Sequence, residues 1–310
     1  MQNQEGPVAD GEKESSESLQ ALPPNEFEIE DWANFVDDDV MQQQSAIHAE
    51  EAKKVPFVGD KEPLSMLAAG YESGSPILLE KIKVLGQQYA AIRRTRGDGN
   101  CFFRSFMFSY LEHILESQDQ AEVDRIKGNI EECRKMLQTL GYADFTFEDF
   151  FVLFLEQLES VIPGNETSIS HDELIIQSQD QSVSDYVVMF FRFVTSAEIQ
   201  KRAEFFEPFV LGLTNASVEQ FCKSSVEPMG EESDHVHITA LSDALGVPIR
   251  VVYLDRSSCD SGTGSVSVNH HDFIPTSVAN PGAKGDTTEA IKPFIMLLYR
   301  PGHYDILYPK

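Results

Sequence analysis

The sequence predicts an α+β fold, in which a helical region is followed by a small, mostly antiparallel sheet. Between residues 63 and 245, apolar side chains recur at spacings of three and four, the period of amphipathic helices. The pattern changes at Ile249, where a run of β-branched and aromatic residues begins. Two further runs, Phe294–Tyr299 and His303–Tyr308, flank the turn Arg300-Pro301-Gly302. Helices in one part of a chain and strands in another are typical of the α+β class.

The same patterns give the order of the elements. Helices are predicted for two short segments between Pro63 and Tyr89, and then for Cys101–Ser117, Val123–Leu140, Phe147–Val161, His171–Gln179, Tyr186–Phe193, Ser196–Phe206, Ser217–Ser225 and Ser233–Leu245. Thr146 is predicted to cap one helix, Ser184 or a neighbour another, and Pro208 to end a third. Strands are predicted for Ile249–Leu254, Phe294–Tyr299 and His303–Tyr308. A long surface loop over residues 256–292, with a short strand at Val266–Val268, separates the first two.

The domain organisation follows from a change in composition near residue 62. Residues 1–62 are acidic and poor in aromatic side chains, which predicts a largely disordered segment, and residues 63–310 are predicted to form one folded domain. One small amphipathic island, made of Phe27, Ile29, Trp32, Phe35 and Val36, interrupts the acidic segment. The island is either a short docking motif or a feature without function.

The charge of the chain restricts its partners. The sequence has 51 acidic and 24 basic side chains, a net charge of −27. Contacts to nucleic-acid phosphates and to anionic membrane surfaces require lysine and arginine, so neither class of partner is expected. A basic protein or a basic peptide segment suits this field. No apolar run approaches the ~18–20 residues that span a bilayer, and no signal peptide is recognised, so we expect a cytoplasmic or nuclear protein.

The cysteines indicate free thiols. Cys101, Cys133, Cys222 and Cys259 are far apart in sequence and form no Cys-x-x-Cys pair. Neither a zinc site nor a disulfide framework is therefore expected, and no cofactor or metal is predicted. A reducing compartment suits a chain of this kind.

Cys101 is the first candidate for a catalytic residue. It follows the stretch Gly97-Asp98-Gly99-Asn100, whose glycines permit a tight loop, and it opens an apolar helical pattern. The free N–H groups and the dipole at a helix N-terminus favour a thiolate, and the same loop can hold an oxyanion. The alternative is a buried core cysteine, although a core cysteine needs no such loop.

His303 is the candidate base for that thiol. In a strand, residues two apart point to the same face, so Asp305 is expected beside His303, where it can orient the imidazole. The alternative is a structural His–Asp pair on an edge strand. An early nucleophile at a helix N-terminus and a late base on a strand are also the chain order of papain-like cysteine proteases.

Several motifs resemble one known family. The stretch Asp98–Arg104 resembles the signature of OTU-type deubiquitinases, and Tyr299–Tyr308 resembles the C-terminal end of the otubain subgroup of that family. Asp180–Tyr186, Val226–Met229 and Glu232–Ile238 are similar to otubain segments as well. The resemblance extends from about Tyr71 to the C-terminus.

The resemblance implies a papain-like OTU catalytic domain and a cysteine isopeptidase that hydrolyses bonds to the ubiquitin C-terminus. Cys101 would be the nucleophile and His303 the general base and then acid. Asp305 would orient His303, and Asp98 would support the loop whose amides form the oxyanion hole. Ubiquitin has a tail that carries arginines and ends in two glycines, which suits an acidic protein with a narrow cleft.

The resemblance also bears on partners. Ubiquitin and polyubiquitin are expected, with His235 and His237 as candidate contacts; the alternative is that both are ordinary core or surface histidines. Some otubains bind and inhibit ubiquitin-conjugating enzymes without catalysis, so such binding is a second possible function. A general papain-like peptidase, which would cut peptides lacking ubiquitin, is a third.

Overall fold

The chain forms ten helices and one six-stranded sheet over the residues that the computed structural model describes, which are 50, 54–71, 75–164, 168–256, 266–276 and 292–310. The amphipathic island at residues 27–36 and large parts of the predicted loop 256–292 lie outside these ranges. The described part is an α+β fold, as predicted.

The helices and strands alternate at first and then separate. The strands are β1 (Val58–Pro63), β2 (Tyr89–Thr95), β3 (Ile249–Tyr253), β4 (His270–Phe273), β5 (Ile295–Arg300) and β6 (His303–Pro309). The helices are α1 (Leu64–Ala69), α2 (Pro76–Gln88), α3 (Cys101–Ser117), α4 (Gln120–Thr139), α5 (Glu148–Ser160), α6 (His171–Gln179), α7 (Gln181–Lys201), α8 (Ala203–Leu213), α9 (Val218–Phe221) and α10 (His235–Leu245).

The sheet brings the ends of the domain together. Its order is β1-β2-β6-β5-β3-β4, and all neighbours are antiparallel except β3 and β5. In the β5–β6 hairpin, Arg300 lies opposite His303. Because β6 also pairs with β2, the C-terminal strand lies beside the strand that leads into α3. Cys101 and His303 are far apart in sequence, and this pairing is what brings their elements together.

Helix α3 and helix α7 form the centre of the helical layer. Helix α3 packs on β5 and β6, and α7 packs against α3, α4, α5, α6 and α10. Both helices are buried on almost every side, so their apolar residues follow no single stripe. Aromatic contacts join the layers: Phe102 of α3 meets Tyr304 of β6 edge to face, and Phe106 meets Phe191 of α7.

The largest differences from the predicted helices concern α7 and α8. The segments predicted as Tyr186–Phe193 and Ser196–Phe206 belong largely to the single helix α7, which begins after Asp180, whose side chain accepts from the amides of Ser182 and Val183. Pro208, predicted to end a helix, lies inside α8, where it is exposed and water can bind the carbonyl that it leaves without a donor.

The predicted cap Thr146 is also wrong. Thr146 closes a short 3-10 turn, Asp144–Thr146, and α5 begins at Glu148 without a side-chain cap. Phe147 is fully buried at the position before the helix. Burial of this ring therefore fixes the start of α5 in place of a capping hydroxyl.

Three strands were not predicted. The edge strands β1 and β4 have polar, charged sequences, which is how exposed sheet edges commonly avoid pairing with other chains. Strand β1 includes part of the segment predicted to be disordered, and β4 lies within the predicted loop 256–292. Strand β2 contains adjacent alanines and arginines, and its Arg93 is buried against the Tyr308 hydroxyl. The strand predicted at Val266–Val268 is reduced to a single bridge at Val266.

The N-terminus of α10 is held by Asp234. Its carboxylate accepts from the amides of Val236 and His237, its own amide donates to Nδ1 of His237 at 3.1 Å, and the same nitrogen lies 2.9 Å from Oδ1. Burial alone would raise the pKa of Asp234, but these hydrogen bonds hold it below its ordinary value.

We expect Asp234→Ala to lower the free energy of unfolding by about 1–2 kcal/mol, since it removes a cap that serves two amides and a ring. Because the folded-state pKa of Asp234 is lowered, this contribution is present near neutral pH and is lost as the pH falls through that pKa. Urea unfolding of both proteins at pH 7 and at acidic pH tests the expectation. Asp234→Asn, which keeps a capping oxygen, is the matched control; an equal loss in both variants would contradict a capping role.

Candidate active site

The loop between β2 and α3 is fixed by close packing on both sides. Gly99 has a φ of +76°, and a Cβ atom there would lie 1.7 Å from the Gly230 carbonyl oxygen, so only glycine fits. A Cβ atom at Gly97 would lie 3.3 Å from Nδ1 of His303. The two glycines therefore allow the loop to pack against the segment near Gly230 and against the imidazole.

Cys101 occupies the first position of α3 and is only 4% exposed. The residue before it, Asn100, makes no side-chain cap for the helix. Among the hydrogen bonds of the described residues, the amides of Gly99 and Cys101 donate to no protein acceptor. Free donors of this kind at a helix N-terminus stabilise negative charge, whether on a thiolate or on an oxyanion.

His303 and Asp305 lie side by side on β6, as their spacing predicts. Nε2 of His303 is 2.8 Å from Oδ1 of Asp305. The Asp305 carboxylate is fully buried, and it also accepts from the Thr95 amide at 3.1 Å and from Nε of Arg300 at 3.0 Å. Burial raises the pKa of Asp305, but its hydrogen bonds and the Arg300 charge hold that pKa below its ordinary value. The carboxylate therefore stays ionised next to the ring.

The protonation of His303 is shifted by both of its neighbours. Burial alone would lower its pKa, but the hydrogen bonds and charges of Asp305 and Cys101 raise the pKa of His303 to about 9. The imidazole is therefore protonated at neutral pH, with Asp305 on Nε2. A cationic ring that interacts with a cysteine side chain favours the thiolate, the form that attacks carbonyl carbon.

Asp98 lies beneath the loop. Its Oδ1 accepts from the Asn100 amide at 3.1 Å, and its Oδ2 accepts from the Arg104 guanidinium at 2.8 Å. Arg104 in turn donates to Ser184 and Asp185 at the start of α7. Asp98 thus connects the loop to the helical layer through Arg104, and its role in supporting an oxyanion hole stays a prediction.

The structure separates the two histidines of α10. His237 is 2% exposed, and its ring contacts Asp234 and the Ser225 carbonyl, so it has a structural position rather than a surface for a partner. His235 is exposed, with Nε2 2.8 Å from the Tyr253 hydroxyl. His235 therefore stays a predicted ubiquitin contact, and His237 is too buried for a direct one.

Three arginines of the site were not predicted from the sequence. Arg104 and Arg192, which are buried, and Arg300, which is partly exposed, brace the loop, the segment near Gly230 and the Asp305 carboxylate. The available signal was an arginine within an otherwise apolar helix, as for Arg104 and Arg192. A buried arginine needs several hydrogen-bond acceptors, which are side-chain oxygens for Arg104 and mainly backbone carbonyls for Arg192.

The described residues contain no cluster of three histidine, cysteine or acidic side chains that could hold a metal ion. None of the helices in the described ranges has the length and apolar character needed to cross a bilayer.

Comparison with known proteins identifies the family. The sequence model of the peptidase C65 otubain family matches residues 50–309. The chain is 68% identical over 310 residues to the OVARIAN TUMOR DOMAIN-containing deubiquitinating enzyme 1 of Arabidopsis thaliana, which covers 100% of this chain and 96% of that protein. It is 40% identical over 272 residues to the ubiquitin thioesterase OTUB1 of Homo sapiens, and this alignment covers 88% of this chain and 90% of that protein.

A solved structure supports the same assignment. A complex of OTUB1 with ubiquitin aldehyde and UBCH5B~Ub superimposes with a TM-score of 0.73 at 33% identity, covering 89% of this chain and 98% of that one. The family match spans nearly all of the described fold, and both relatives align over most of their own length. The chain therefore belongs to the otubain family, peptidase family C65.

Proposed function

We propose that this chain is a deubiquitinating cysteine isopeptidase, which hydrolyses bonds to the ubiquitin C-terminus in polyubiquitin chains or conjugates. The observation that carries the proposal is the arrangement of Cys101, His303 and Asp305 at the junction of α3 and β6. The names of the relatives, a deubiquitinating enzyme and a ubiquitin thioesterase, support the choice of substrate.

In the first half of the reaction, the Cys101 thiolate attacks the carbonyl carbon of the isopeptide bond. The negative charge that develops on the carbonyl oxygen is stabilised by the free amides of Gly99 and Cys101. The His303 imidazolium then gives its proton to the leaving lysine amine. The products of this half are the free amine and a thioester between Cys101 and ubiquitin.

In the second half, neutral His303 takes a proton from water, and the resulting hydroxide equivalent attacks the thioester carbonyl. The C–S bond breaks, which regenerates the Cys101 thiolate and releases the ubiquitin carboxylate. Asp305 holds the ring orientation throughout, since Nε2 remains bonded to Oδ1. Asp98 keeps the loop amides in place through the Asn100 amide.

An apolar exposed surface on α8 offers a docking site for the body of ubiquitin. Helix α8 exposes the rings of Phe205 and Phe209, and 53% of the surface of Phe209 is accessible to solvent. These rings line a groove of about 110 Å³ that also includes His235. Exposed apolar patches with polar neighbours mark protein-binding surfaces, so we assign ubiquitin contact to this face of α8 and to His235.

Binding of ubiquitin-conjugating enzymes is a second candidate function. It is favoured because solved OTUB1 structures hold UBCH5B~Ub or UBC13~Ub together with ubiquitin aldehyde. This chain offers a separate groove of about 360 Å³ between α5 and α7, lined by Asp149, Val152, Leu153, Glu156, Ser182, Val183 and Tyr186. An apolar groove with acidic side chains suits a partner surface that combines apolar and basic residues.

Cys101→Ala is expected to lower the cleavage of ubiquitin dimers at least about 1,000-fold, since it removes the nucleophile. A panel of dimers of each linkage, with labelling by a ubiquitin probe that carries a C-terminal electrophile, measures this. Peptides lacking ubiquitin should not be cut. Cleavage that survives in Cys101→Ala would contradict the proposal, and cleavage of unrelated peptides would indicate a general peptidase.

The same variant separates the two candidate functions. If the chain also binds conjugating enzymes, Cys101→Ala should still inhibit ubiquitin-chain synthesis in a reconstituted reaction. Inhibition that disappears together with cleavage would exclude the second function.

The proton on His303 predicts an alkaline limit for activity. As the pH rises through about 9, the imidazolium that protonates the leaving amine is lost, and kcat/KM for an isopeptide substrate should fall. Asp305→Asn removes the neighbouring charge and should move this limit to lower pH. The folded-state pKa of His303 lies above its ordinary value of 6.5. The interaction of the imidazolium with Asp305 and Cys101 therefore stabilises the fold fully below pH 6.5, and this stabilisation is lost as the pH rises through about 9. An unchanged alkaline limit in folded Asp305→Asn would contradict the assigned role.

Phe209→Ser is expected to raise KM for a ubiquitin substrate with a fluorescent leaving group roughly tenfold, with kcat nearly unchanged. His235→Ala should have a smaller effect of the same kind. Phe145→Ser, which removes an exposed aromatic ring outside α8, is the matched control. Equal KM values for Phe209→Ser and the control would remove α8 from the ubiquitin-binding surface.

A further inference from the structure

Arg192 is a fully buried cation on α7 that joins the loop before Cys101 to the segment before α10. One terminal nitrogen donates to the Val226 carbonyl at 2.9 Å. The other donates to Oδ1 of Asn100 at 2.7 Å, to the Glu231 carbonyl at 2.8 Å and to the Gly99 carbonyl at 3.2 Å. The guanidinium therefore has acceptors on both sides of the loop contact.

This arginine is an unusual choice for a purely structural position. Among the described residues, no carboxylate lies within ion-pair distance of its guanidinium, and its Nε is buried without a partner. Burial lowers the pKa of Arg192 to about 10, so the group keeps its charge at neutral pH. A buried charge is costly even where, as here, carbonyl groups, the more distant charges of Glu231 and Asp98 and the face of the Phe103 ring compensate it.

The hydrogen bonds of Arg192 help to fix one peptide plane, that of Gly99–Asn100. The carbonyl of Gly99 accepts from Arg192, and the amide of Asn100, which belongs to the same peptide, donates to Oδ1 of Asp98. The Gly99–Asn100 peptide is thus held at both ends, by a cation on one side and a carboxylate on the other. The free amides of Gly99 and Cys101 belong to the peptides directly before and after this plane, so fixing the plane restricts their orientations.

The segment behind the loop is itself anchored. A π-helical turn over Cys222–Val226 ends at the carbonyl that Arg192 binds. Glu227, the next residue, accepts from the Ser196 hydroxyl of α7 at 2.6 Å. The amide of Gly230 donates to Oδ1 of Asn100 at 2.9 Å. This segment and Arg192 therefore bind the same oxygen of the loop. Arg192 therefore connects the loop to a fixed support.

We propose that Arg192 is a positioning residue for acyl transfer, which fixes the Gly99–Asn100 peptide so that the neighbouring amides point to the oxyanion. The inference rests on the proposed function of Cys101 as the nucleophile. It assigns to Arg192 the stabilisation of the transition state, through the loop, and no contact with the substrate.

The test compares a reaction that needs the oxyanion site with one that does not. In Arg192→Lys, kcat for a ubiquitin substrate should fall about 10- to 100-fold, with KM within about twofold of wild type. Ubiquitin aldehyde forms a C–S bond to Cys101, and its carbonyl oxygen becomes an alkoxide that takes the imidazolium proton. Its affinity should fall in parallel with kcat, whereas the affinity of free ubiquitin should not change. Alkylation of Cys101 by iodoacetamide, which needs no oxyanion site, should keep its rate within about twofold.

Arg93→Lys is the matched control. Arg93 is also buried, donates to a backbone carbonyl and packs on an aromatic ring, but it lies on β2 and does not touch the loop. Asn100→Ala, which deletes one acceptor of Arg192 and keeps the arginine, should produce the same pattern with a smaller loss. If Arg192→Lys does not fold, this second variant decides the question.

The inference is overturned if folded Arg192→Lys and folded Asn100→Ala keep full kcat. It is also overturned if the losses of alkylation rate, aldehyde affinity and kcat in Arg192→Lys are the same as the losses in Arg93→Lys. Failure of the proposed function is distinguishable from this. It would be seen as substrate cleavage that persists in Cys101→Ala, whatever the behaviour of Arg192 variants.

Discussion

The buried carboxylate of Asp305 is the constraint on which the rest of the site depends. It lies within the sheet, and its acceptors are used by the imidazole of His303, the amide of Thr95 and the guanidinium of Arg300. A buried charge of this kind is tolerated only with several good donors. The pairing of β2, β6 and β5 supplies all of them, so the sheet register and the orientation of the His303 ring are determined together.

The helical layer imposes a second constraint, on the loop. Arg104 and Arg192 project from α3 and α7 and bind the side chains and carbonyls of residues 98–100. Gly99 permits the close contact with Gly230 that no other residue would allow. The site is therefore assembled from two parts, a strand that carries His303 and a loop held by buried arginines. Their meeting at Cys101 is set by how α3 packs on β5 and β6.

Sequence patterns predicted the parts of this arrangement that depend on local physics. The apolar spacing from Cys101 gave the bounds of α3, and the two-residue spacing on β6 placed Asp305 beside His303. Edge strands β1 and β4 were missed because polar edges lack the alternation that signals a strand. Pro208 was misinterpreted because an exposed helix tolerates a proline whose unpaired carbonyl can bind water. The buried arginines were not predicted because their acceptors are distant in sequence. The proximity of Cys101 and His303 was predicted only from the resemblance to a family and from the order of the two residues in the chain.

The protonation state of His303 is the most direct test of the account. Nitrogen-15 NMR of the His303 imidazole, followed from pH 5 to 10 in the full chain, reports the charge and the hydrogen bonds of both ring nitrogens. The account predicts a titration near pH 9, shifted to lower pH in Cys101→Ala because one of its two stabilising partners is lost. A titration near the ordinary value of 6.5 that does not respond to Cys101→Ala would contradict it.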